Sequence, residues 1–73
     1  MVGEIMRIKF ITREPRKGEA ILLTDEGQEL ERIPCYAHTE AGKKQAIFHF
    51  EGYLLKMGKK QDELKFKFTE VKE

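Results

Sequence analysis

The chain of 73 residues has one cysteine, Cys35, so no internal disulfide braces it. Cys35-x-x-His38 has no second pair, and with His49 the set falls short of the four ligands of a structural zinc site. No metal and no cofactor is therefore expected. Neither glycine-rich phosphate-loop pattern occurs among the six glycines. Long apolar runs are missing too, and Arg7, Lys9 and Arg13 break up the segment where a signal-peptide core would lie. These absences point to a protein of a reducing compartment, expected in the cytoplasm. No internal repeat is present, and no stretch of ten or more residues has a 3.6-residue period. The expectation is an all-β chain, and helices are limited to a single turn that Thr39 caps and Gly42 ends.

A chain this short buries only about 60% of the surface it exposes when unfolded, so residues 1–73 make one domain with a small core. Its net charge of +1 hides a polarised distribution. Arg7 to Lys17 holds five bases and one acid, Lys43 to Lys60 holds the same, and Glu19 to Glu31 between them holds five acids and no base.

Residues 1–3 are expected to fray. From Glu4 to Thr12 the pattern alternates: Met6, Ile8 and Phe10 take one face and Arg7 and Lys9 the other. Glu14 to Gly18 is a turn and Glu19 to Thr24 a second strand, joined by Asp25-Glu26-Gly27 to a third from Gln28 to Ala37. Pro34 lacks a ladder donor and places that strand at an edge. The longest apolar segment, Ala46 to Met57, reads as a bent fourth strand with Phe48 and Phe50 on one face. Leu64-Lys65-Phe66-Lys67-Phe68 is the clearest alternation and opens a fifth strand ending near Val71. Five strands with short links predict a small five-stranded antiparallel barrel, OB-like or SH3-like. Its centre would be Ile8, Phe10, Leu22, Phe48, Phe50, Leu55, Phe66 and Phe68.

Candidate functional residues follow from the pleat. Arg7 and Lys9 on the first strand and Lys65 and Lys67 on the last each oppose an apolar face, so all four point outward. If those strands are neighbours, the four make one basic patch. Tyr36 and His49 are outward rings able to stack on bases, and Lys56 lies near the flanking loop. The acidic hairpin from Asp25 to Glu31 should face away from any phosphate backbone. Cys35, on a strand with no basic cluster around it, reads as a structural thiol. No pairing of acid, base or nucleophile meets the requirements of catalysis, so no enzyme is expected.

The words Ile11-Thr12-Arg13-Glu14-Pro15, Ile33-Pro34-Cys35-Tyr36-Ala37 and Phe50-Glu51-Gly52-Tyr53-Leu54, in this order, resemble OB-fold single-stranded DNA-binding and primosomal proteins. The segment between the third and fourth strands is shorter than that family's helix-bearing connection, and its acidic tail is absent. The resemblance implies binding of single-stranded DNA or RNA through outward aromatics and lysines. A small protein-binding module or inhibitor, of the kind encoded by phages and mobile elements and acting on a host protein, is the alternative. Composition does not fix the oligomeric state.

Overall fold

The structure is a computed structural model that describes residues 4–73; Met1–Gly3, expected to fray, lie outside the described residues. β1 (Glu4–Arg13) and β2 (Arg16–Thr24) form an antiparallel hairpin around Glu14–Pro15, and β3 (Glu29–Cys35) adds antiparallel to β2. A helix, α1 (Glu40–Lys56), follows, then a 3-10 turn over Gln61–Glu63 and β4 (Leu64–Lys72). β4 lies parallel to β1, and the four strands make one open sheet in the order β3-β2-β1-β4. Pro34 is on an edge strand, as its missing N–H requires.

The chain is thus a small β-rich fold, but the all-β five-stranded antiparallel barrel does not form. The expected fourth strand is helix instead. Ala46 to Met57 satisfies two periods at once: Phe48 and Phe50 are two apart, while Ala46, Phe50 and Leu54 are four apart. Topology and capping decide between them. β3 and β4 run in the same direction, because β3 is antiparallel to β2, β2 is antiparallel to β1, and β1 is parallel to β4. No hairpin can join parallel strands, and the crossover of a dozen or more residues is normally a helix. Thr39 starts it: at φ −120 it is extended, and its Oγ1 accepts a hydrogen bond from the Gly42 N–H at 3.0 Å. Gly42 is therefore in the first turn of the helix and does not end it. A Cβ there would collide with the Tyr36 carbonyl, so only glycine lets the first turn sit against the preceding loop.

The core lies between α1 and one face of the sheet. Met6, Ile8 and Phe10 of β1, Ala20 and Leu22 of β2, and Cys35 of β3 meet Ala46, Phe50 and Leu54 of α1, all buried. Of the expected centre, Ile8, Phe10, Leu22 and Phe50 are in place and Phe66 is half-buried. Phe48, Leu55 and Phe68 are not inside. A helix turns about 100° per residue, so Phe48, two residues before Phe50, points nearly the opposite way and is 79% exposed. Phe68 is 54% exposed because β4 is the outer strand beside α1, although its ring stacks on Phe10 at 6.1 Å. Among the described residues no element packs on the opposite face of the sheet, and no helix is long and apolar enough to cross a membrane.

Candidate nucleic-acid interface

Strand register alone assembles the basic patch. β1 and β4 are neighbours, and their parallel ladder sets Ile5 beside Lys65, Arg7 beside Lys67, and Lys9 beside Thr69. Met6, Ile8 and Phe10 turn toward α1, so Arg7 and Lys9 turn to the open face, and Lys65 and Lys67 join them across the ladder. Neighbouring strands are about 4.8 Å apart and alternate residues about 6.6 Å, so the four cations occupy a short stretch of two strands. The floor between and beside them is apolar: Ile11 and Ile21 are buried on this face and Val71 is half-buried.

The two sides of this face handle charge differently. Across β2 and β3 and at the Arg13 end of β1, Arg13 Nη1 donates to Glu19 at 2.8 Å, Arg32 Nη1 donates to the other Glu19 oxygen at 2.7 Å, and Arg32 Nη2 donates to Glu29 at 2.9 Å. Arg13 Nε also reaches Glu73 at 2.7 Å. The hydrogen bonds from Arg13 and then Arg32 hold the Glu19 carboxyl below the usual carboxylate range, and Arg32 does the same for Glu29. These charges are spent on each other. On the β1–β4 side, Arg7 Nε donates to Asp25 at 3.1 Å, while among the described residues Lys9, Lys65 and Lys67 have no carboxylate within 4.0 Å. The acidic hairpin does not stand wholly apart from the patch: Asp25 touches it through Arg7. Glu31, from the same segment, lies on the helix side, 3.4 Å from His49.

The remaining candidates are elsewhere. His49 and Lys56 ride on α1, on the opposite side of the sheet from Arg7 and Lys9, where they line a groove with Glu31, Gly52 and Tyr53. Tyr36 is exposed in the loop beyond β3, the strand farthest from β4, with the Lys17 ammonium 5.0 Å from its ring centroid. The expected combination of basic patch and stacking rings is thus divided over three places, and the open face carries no aromatic ring from β1 or β4. The cause is the helix, which took His49 and Lys56 to the other layer. Cys35 is buried, and burial pushes its thiol pKa up, as befits a packing residue.

One feature of the open face and one of α1 escape the strand reading. Arg13, Glu19 and Arg32 converge only through the β1–β2 and β2–β3 registers. The second is Gly52. It sits inside α1, where glycine costs about 0.5 to 1 kcal/mol relative to alanine, and a Cβ built there meets nothing within 4 Å. Comparison of the chain with protein-family models, with curated proteins and with solved structures finds no match.

Proposed function

We propose that the protein is a non-catalytic binding module of the cytoplasm that holds the backbone of single-stranded DNA or RNA against the open face of β1 and β4. One observation carries this reading: Arg7, Lys9, Lys65 and Lys67 share one patch, and three of the four have no carboxylate partner among the described residues. Uncompensated cations on an uncovered sheet suit a ligand that brings its own negative charge at regular intervals. Of the apolar floor only Val71 is partly exposed, a small surface for sugar or base faces that does not select a sequence. The resemblance to OB-fold single-stranded DNA-binding proteins supports the ligand class. Its third word, Phe50 to Leu54, falls on α1 and lends nothing to the face itself. Tyr36 stands outside the β1–β4 surface, so affinity rests on phosphate contacts more than on stacking.

The test is titration of a fluorescent oligo(dT) at two salt concentrations. Binding in the micromolar range that weakens with salt supports the reading. No binding at micromolar protein in low salt overturns it and favours the alternative, a small module acting on a protein partner.

A further inference from the structure

The two edges of the sheet are built differently. Both carry charge, but β3 also has Pro34 and a register shift against Leu22 and Leu23, two devices that keep an edge from pairing further. β4 has neither. It runs nine residues without a proline, its ladder to β1 is unbroken from Leu64 to Lys72, and every residue on it is at least partly exposed. The Glu73 N–H donates to the Thr12 carbonyl of β1 at 3.0 Å, so the odd-numbered residues of this strand turn their backbone groups inward. Phe66, Phe68, Glu70 and Lys72 turn theirs to the outer edge, where among the described residues no strand takes them up.

We propose that the outer edge of β4 pairs antiparallel with β4 of a second copy, about a two-fold axis at Thr69, and joins the two sheets into one. The charge order along the strand selects that occupant. Lys65 and Lys67 open it, Glu70 and Glu73 close it, and Lys72 alone departs from the order, so an antiparallel copy sets the basic end against the acidic end. Edge hydrogen bonding opposes residues of like parity, which keeps each side chain on the face it already occupies. With Thr69 opposite the partner's Thr69, Lys65 stands directly opposite the partner's Glu73 on the open face, and Lys67 is diagonal to the same carboxylate. Directly opposed side chains on one face are in contact. Arg13 Nε holds Glu73 Oε1 on that face at 2.7 Å, which leaves the second oxygen for the lysine. Symmetry repeats the pair. On the helix side Phe66 lies opposite the partner's Lys72 and Phe68 opposite the partner's Glu70. The two Phe68 rings become diagonal neighbours, covering a side chain that the single chain leaves 54% exposed.

Neighbouring registers lack this match. An axis at Lys67 opposes two lysines, an axis at Glu70 opposes two glutamates, and an axis at Phe68 opposes no acid to any base. An axis at Val71 sets Glu70 against Lys72 but puts Phe68 beyond the partner's β4. A uniformly acidic strand would suit Lys65 and Lys67 and stand against Glu70 and Glu73. Self-pairing continues the open face of one copy into that of the other and engages Lys65, so an oligonucleotide and a second copy compete for that lysine. The inference does not rest on nucleic-acid binding, and its test contains none.

The test is disulfide trapping on the full chain, with single cysteines placed along the open face of β4 and oxidation by air with copper phenanthroline. The parent chain, whose only thiol is the buried Cys35, is the blank. Thr69 does not turn its backbone groups to the outer edge, so it meets its partner as a non-hydrogen-bonded pair about 4.5 Å apart at Cα, within the span of a disulfide. Thr69→Cys is therefore expected to give a covalent dimer. Lys67→Cys and Val71→Cys are each four residues, about 13 Å along the strand, from their own copies and are expected not to. A mixture of Lys67→Cys with Val71→Cys should trap a heterodimer, because those two positions oppose each other. Sedimentation equilibrium of the parent chain at up to about 1 mM should show monomer and dimer, as suits a single strand pair burying less than about 1,200 Å². Lys65→Glu should weaken the dimer about tenfold through two repulsions in place of attractions, and adding Glu73→Lys should restore it. A monomer at every concentration overturns the proposal, as does equal trapping at all three cysteines or a dimer indifferent to Lys65→Glu.

Discussion

The face of the sheet beneath α1 and the face opposite it come from the same four strands, yet different interactions hold them. Beneath α1, Ile8, Phe10, Leu22 and Phe50 exclude water by packing on one another. On the open face Ile11 and Ile21 are also buried, at 7% and 4% exposure, with no element above them among the described residues. Long side chains lie over such a surface: stems of arginine and lysine cover apolar atoms while their heads stay in water. What those heads then do separates the arginines, which neutralise carboxylates, from Lys9, Lys65 and Lys67 on β1 and β4, which do not. The lesson is that a single-layer sheet can keep its apolar floor dry with charge, and that charge left unpaired in doing so is available to a partner.

The largest effect that would sharpen this contrast is at the covered face. Phe50→Ala removes a fully buried ring between α1 and the sheet and is expected to cost about 3 to 5 kcal/mol, measured by urea or thermal unfolding. In so small a domain that is most of the stability. On the open face Ile21→Ala should cost less, about 2 kcal/mol, because the flexible stems above it can settle into the gap. Equal losses at the two positions would mean that the open face is packed as tightly as the covered one.

A smaller stability effect, within about 0.5 kcal/mol, is expected for the double change Lys65→Glu and Lys67→Glu, since both side chains are exposed. Its consequence for binding is larger. Four phosphate contacts on a single strand give a slope of log affinity against log salt of roughly −3, and losing two of them should bring it to about −1.5. Replacing Tyr36, His49 or Lys56 by alanine should leave that slope unchanged.

The smallest effect distinguishes the paired side of the open face from the unpaired one by pH. Glu19 and Glu29 have folded pKa values lowered by Arg13 and Arg32, so their pairing stabilises the fold at pH above the ordinary carboxylate value of 4.5. That contribution is lost as pH falls through the lowered folded values. Melting temperatures followed from neutral pH to about pH 3 should fall less steeply in Glu19→Gln than in the parent chain. An unchanged profile would show that the network is too solvated to matter.

What could be read from residue order alone is what period-two alternation carries. Met6, Ile8 and Phe10 were legible as inward and Arg7 and Lys9 as outward, because successive side chains on a strand must alternate. The same rule oriented Lys65 and Lys67, and the lone proline of β3 marked its edge position. The segment from Glu40 to Lys56 was not legible. Phe48 and Leu55 on its outer side blur the one-sided pattern by which an amphipathic helix is recognised. Only the tertiary structure chose between the two periods, because β4 returns parallel to β1 and the chain from β3 must cross the sheet to reach it. That crossing buried Phe50, exposed Phe48, and separated His49 and Lys56 from the basic patch by the thickness of the sheet. The direction of each side chain on a strand is a local matter of the pleat, whereas the element a segment joins depends on where the strands before and after it pair.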